Sequence, residues 1–124
     1  MAPEWARLCR GEGFAIEGDD IQVMLAAGRH QRVSVADRGT SYELHSIVAR
    51  PAVVDAIGDV PLRAWRRNRS ALLVGFRIDK RRRLVGQAWV PKVGLTAAEF
   101  QAYVRRVAVE SDRFEYLLTG ADNE

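Results

Sequence analysis

Residues 72–90, LLVGFRIDKRRRLVGQAWV, followed by GLTAAEF at 94–100, decide the fold. The first stretch reads as two strands, Leu72–Ile78 and Leu84–Val90, joined by Asp79-Lys80-Arg81-Arg82-Arg83. Pairing Ile78 with Leu84 sets Phe76 opposite Gly86, Val74 opposite Ala88 and Leu72 opposite Val90, so that large side chains face small ones. The same register turns Leu73, Gly75, Arg77, Val85, Gln87 and Trp89 to the other face, where a tryptophan needs a cover. The second stretch opens a helix. Thr96 and Glu99 have the spacing of a capping box, with Leu95 and Phe100 at the staple positions. From there Phe100, Val104, Val107, Ser111, Phe114 and Leu118 recur at helical spacing, Tyr103 and Leu117 widen the seam, and Gly120 stops it.

Working toward the N-terminus, Leu62 and Trp65 lie among Arg63, Arg66 and Arg67 in a short helix, with Asp59 as its cap and Pro61 in its first turn. A shorter helical turn, Ala52–Ile57, begins after Pro51 and stops at Gly58. Before it, Tyr42–Ala49 pairs with Arg29–Val35. A register of Val35 with Tyr42 and Val33 with Leu44 sorts apolar from polar residues on both strands. Ile21, Val23 and Leu25 alternate with Gln22 and Met24 in a half-buried strand pattern, and Phe14 and Ile16 extend it across Gly18-Asp19-Asp20. Trp5, Leu8 and Cys9 share one face of a short first helix. The expected order is α-β-β-β-α-β-β-α, an α+β domain with a mostly antiparallel sheet.

A chain of 124 residues with 48% hydrophobic and 28% charged residues is expected to form one domain. That domain spans residues 1–120, with a frayed tail at 121–124. No apolar run is long enough for a membrane helix, and the N-terminus lacks the apolar region of a secretory signal. The expectation is a cytoplasmic protein without a membrane partner. The charge is unevenly placed. Residues 63–83 hold nine basic groups and one acid, whereas residues 1–62 and 94–124 are each net acidic. The basic band comprises Arg63, Arg66, Arg67, Arg69, Lys80, Arg81, Arg82 and Arg83, which suit phosphates or carboxylates across a protein interface. Trp65 and Phe76, the aromatics of the band, are expected to be buried, which disfavours base stacking.

Catalytic and metal chemistry find no constellation. His30 and His45 lie on adjacent strands, and Glu43 is the one acid near them, short of a metal set. Cys9 has no base beside it and suits a buried position. No phosphate loop, nucleophile elbow or zinc-protease motif occurs. A non-enzyme without cofactor or metal is expected. The apolar surplus, Trp5 with Leu8 and Trp89 with Val85 and Leu73, is explained either by packing within the chain or by a partner surface.

Several stretches resemble one family. They are Gly28-Arg29-His30-Gln31-Arg32-Val33 at the second strand, Ser46-Ile47-Val48 late in the third, Asn68 closing the middle helix, and Ser111–Gly120. With the order of elements, they resemble the type III secretion chaperone fold and, more closely, its YbjN-like relatives. The resemblance implies a homodimeric, non-catalytic chaperone or adaptor that binds extended segments of a client protein. Leu73, Val85, Trp89, Trp5 and Leu8 are the expected dimer or client surface. The alternative is a nucleic-acid-binding module using the Arg63–Arg83 band.

Overall fold

The structure is a computed structural model that describes residues 3–69 and 73–120. Six strands form one sheet in the order β1-β2-β3-β4-β6-β5, and every neighbouring pair is antiparallel. The strands are β1 (Phe14–Glu17), β2 (Asp20–Met24), β3 (His30–Asp37), β4 (Ser41–Ala49), β5 (Gly75–Ile78) and β6 (Leu84–Pro91). A 3-10 helix at Glu4–Leu8 precedes them, α1 (Pro51–Ile57) and α2 (Val60–Asn68) lie between β4 and β5, and α3 (Ala97–Thr119) follows β6. The α+β class is as the pattern implies. The count of early strands is four rather than three, because Gly18, at a φ of 64°, reverses the chain and makes Phe14–Glu17 a strand of its own.

Helix α3 carries both halves of its capping box. The Thr96 side chain accepts from the Glu99 amide at 3.1 Å, and the Thr96 amide donates to the Glu99 carboxylate at 3.0 Å. All six seam residues from Phe100 to Leu118 are buried, laid across β2, β3, β4 and β6. The Phe100 ring meets Trp5 and Tyr42 at centroid distances of 6.2 and 5.6 Å, and Phe114 stands edge-on to Phe76 at 4.9 Å. Leu117 does not widen the seam as expected. It is exposed, since the helical turn carries position 117 past the sheet toward α2.

The second hairpin has the expected register, with Ile78 opposite Leu84 and Phe76 opposite Gly86. Regular pairing starts at Gly75, so Val74 is buried but lies before the strand. The expected pairing of Leu72, like the tail at 121–124, lies outside the described residues. The loop is held by Asp79, whose carboxylate accepts from the Arg81 and Arg83 amides at 3.0 and 2.8 Å and from the Arg83 guanidinium at 2.8 Å. Partial desolvation opposes ionisation there, but these donors outweigh it and hold the Asp79 carboxyl below its ordinary range.

The first hairpin register differs from expectation by two residues. Val35 faces Leu44 and Asp37 faces Tyr42. The Arg38 amide donates to the Ser41 carbonyl, and Gly39 takes a φ of 90°, so the chain reverses over Gly39-Thr40 alone. A two-residue slip preserves the alternation of faces, which is why the inward and outward sets were legible despite it.

Candidate functional site: a bare sheet face, one open edge and an arginine-rich helix

Helix α3 and the 3-10 helix lie on one side of the sheet, with the buried core between them and the strands. Residues of the opposite parity point to the other side. On β6 these are Val85, Gln87 and Trp89, on β4 Glu43, His45 and Ile47, and on β5 Gly75 and Arg77. Trp89 is 52% exposed and Leu73 59%, with Ile47 exposed as well. Leu73 and Trp89 flank a shallow hollow of about 330 Å³ that also takes in Arg77 and Gln87. Among the described residues this side is left uncovered at Trp89 and Leu73.

The expected surface therefore divides. Leu73 and Trp89 are accessible together. Val85 shares their face but is itself buried, because it sits on an interior strand between its cross-strand neighbours Ile47 and Arg77. Trp5 and Leu8 are not a surface at all. Both are buried in the core with Ala6 and Cys9, because Gln101 of α3 donates to the Leu8 carbonyl at 2.9 Å and draws the 3-10 helix down onto it. The Cys9 thiol is pushed up to about 12 by burial, against the opposing charge of Arg105, and is inert as a nucleophile at neutral pH.

The two sheet edges differ. On β5 the outward amide and carbonyl of Phe76 are both taken by the side chain of Asn68. Its Oδ1 accepts at 2.7 Å and its Nδ2 donates at 3.0 Å. The last residue of α2 thus closes that edge. On β1 the Met24 amide bonds the Gly13 carbonyl at 2.8 Å, which makes the pairs of Ala15 with Gln22 and Glu17 with Asp20 the mutually bonded ones. Phe14 and Ile16 therefore aim their backbone groups away from the sheet. The Phe14 amide turns back to Gly11 at 3.4 Å. The Phe14 carbonyl and both backbone groups of Ile16 have no backbone partner among the described residues.

The basic band is dispersed. Arg82 pairs with Asp55 at 2.5 Å and Arg83 with Asp79, both at the β5–β6 turn where Lys80 and Arg81 also lie. Arg67 reaches Glu110 of α3 at 3.3 Å, and Arg63 donates to the Leu117 carbonyl at 3.2 Å. Arg66 on α2 and Arg69, its C-cap, are exposed. Of the two aromatics expected to be buried, Phe76 is, but Trp65 is 58% exposed. The turn of α2 that buries Val60 and Ala64 places Trp65 on the opposite side, where the Arg69 guanidinium stacks on it at 5.3 Å.

Glu110 is the site residue that pattern reading missed. Its carboxylate is buried, with Arg67, Arg106 and Arg113 at 3.3, 3.3 and 3.8 Å. The signal was available in part, since Arg106 and Arg113 stand four before and three after it on one helix face. Arg67 comes from 43 residues away, and no local pattern reports it.

His45 lies half-buried on the bare face beside Ser34 and Gln87. Burial is the main cause that lowers its pKa, with Glu43 pulling the other way. Among the described residues no group of three His, Cys, Asp or Glu side chains is placed to hold a metal. A hollow of about 520 Å³ between Leu25 and α3 is lined by both partners of the Arg29–Asp112 ion pair, 2.8 Å apart. No described helix is long and apolar enough to cross a membrane.

No family model matches the chain, and no curated protein matches it. Among solved structures, the chain is similar to one in the crystal structure of the ExsC–ExsE complex, at 14% sequence identity and a TM-score of 0.48, over 89% of this chain and 79% of that one.

Proposed function

We propose that the protein is a non-catalytic chaperone or adaptor that holds an extended segment of a client protein as an added strand on β1. The observation that carries this is the contrast between the edges. Asn68 consumes the Phe76 groups on β5, whereas Ile16 offers a donor and an acceptor on β1. A client strand satisfies those groups through main-chain bonds, and its alternate side chains lie beside Phe14 and Ile16 or beside Ala15 and Glu17. Replacing Ile16 tests this. Ile16→Pro removes the outward amide, and Ile16→Val retains it with a similar side chain. In capture from the native cell, Ile16→Val keeps the client that wild type retains. Ile16→Pro weakens it by roughly tenfold, the value of one or two main-chain bonds. Equal retention by Ile16→Pro, with the fold verified by circular dichroism, would place the client elsewhere.

The bare face bearing Trp89 and Leu73 suits a second copy of the chain, since a two-fold contact covers both tryptophans with one patch. Trp89 is 52% exposed, so covering it removes about half of a tryptophan's 150–250 Å², roughly 100 Å² per copy. At about 25 cal/mol per Å² this contributes several kcal/mol across two copies. Light scattering at tens of micromolar is expected to give a dimer for wild type and a monomer for Trp89→Ala. A wild-type monomer would sink this interface, and a dimeric Trp89→Ala would move it.

A further inference from the structure

The geometry points to a second binding surface, separate from the β1 edge and the Trp89 face: the groove between α2 and α3, which takes an acidic, apolar-anchored segment of another polypeptide. Its hollow, about 270 Å³, has the Phe114 ring and Leu117 on one side and Arg63, Arg66 and Arg67 on the other. Beside it the outward stripe of α2 carries Leu62, Trp65 and Arg66, at i, i+3 and i+4, and the C-cap Arg69 continues it. Leu62, Trp65 and Leu117 are all large apolar side chains left in water. The surface is thus apolar in its hollow and cationic along its borders.

The charge identifies the occupant. With Arg69 beside Trp65, and Arg106 and Arg113 beside Glu110, six arginines lie on or next to this surface, and among the described residues the carboxylate paired with them is Glu110, which is buried beside three of them. A leucine or phenylalanine entering the hollow would carry flanking carboxylates onto Arg63, Arg66 and Arg69, where planar guanidinium groups bind them in pairs. A second copy presenting the same patch would set arginines against arginines, so a symmetric contact here is disfavoured. Nucleic acid is the weaker fit. Arg69 already lies over one face of the Trp65 ring, where it competes with a stacked base. Arg82 and Arg83, which would extend a phosphate track, are committed to Asp55 and Asp79.

Fluorescence anisotropy on the full chain tests this with three labelled probes. One is a peptide with leucine and phenylalanine at every third or fourth position between aspartates and glutamates. The second is its twin with asparagine and glutamine in place of the acids. The third is a single-stranded oligonucleotide of the same net charge. The acidic peptide is expected to bind wild type, more weakly as salt rises, and the amide twin at least about tenfold more weakly. Arg66→Glu and Trp65→Ala, both at exposed positions, are each expected to lower the affinity about tenfold or more. Ile16→Pro is expected to leave it unchanged, which separates this surface from the β1 edge. Equal binding of the amide twin, no binding of the acidic peptide, or loss on Ile16→Pro would overturn the proposal. So would an oligonucleotide that binds more tightly and is lost with Arg66→Glu, or a change in oligomeric state caused by Arg66→Glu.

Discussion

Phe100→Ala is expected to destabilise the fold by about 3–5 kcal/mol, measured by denaturant unfolding. Phe100 is fully buried, and its ring is the one that Trp5 from the N-terminal 3-10 helix and Tyr42 from β4 both meet. Truncation removes the transfer energy of a whole ring. It also leaves a cavity that three separate elements would have to collapse to fill, and rigid sheet and helix backbones collapse poorly. Phe100 also sits in the first turn of α3, next to the Thr96–Glu99 box, so its loss loosens the point where the helix is fastened to the sheet. A loss below about 1 kcal/mol would mean that the 3-10 helix does not pack where the structure places it.

Gly86→Val is expected to cost about 1–3 kcal/mol or more through overpacking. A Cβ at position 86 would run into the Ser111 hydroxyl of α3 and lie 3.0 Å from the Phe76 ring. Gly86 is thus a point of close approach between α3 and β6, where the lack of a side chain lets the helix seat against the strand. Ser111 sharpens the test, because its Oγ is buried with no hydrogen-bond partner among the described residues. Ser111→Ala is expected to be near neutral by itself, since it removes an unsatisfied polar atom. Combined with Gly86→Ala it is expected to recover part of the smaller variant's loss, a positive coupling in a double-mutant cycle. Strict additivity would contradict the contact.

Helix α3 was legible nearly residue by residue, because its cap, seam and stop are all local signals: Thr96 with Glu99, Phe100 through Leu118, and Gly120. The second hairpin was legible because Phe76 can face only a small residue, which is Gly86. The first hairpin was read two residues out of register, because alternation is unchanged by such a slip and only Gly39 marks the true turn. Failures at the surface have one physical origin. Trp5, Leu8 and Trp65 are single aromatic or aliphatic positions on short helices, where either face satisfies the periodicity. The side that is covered depends on distant residues. Gln101 decides it for Leu8, and the docking of α2 against β5 and α3 decides it for Trp65. The closure of β5 by Asn68 was likewise invisible, since an asparagine at a helix end reads as a stop signal rather than as an edge cap.

The most direct test of the account is residue-resolved amide hydrogen exchange at Ile16 and Phe76, on the free protein and on the protein with its captured client. The account predicts a slow Phe76 amide in both states, because Asn68 holds it. It predicts a fast Ile16 amide in the free protein that slows by more than about tenfold when the client strand is in place. An Ile16 amide already protected in the free protein, or one whose exchange the client leaves unchanged, would contradict strand addition at β1.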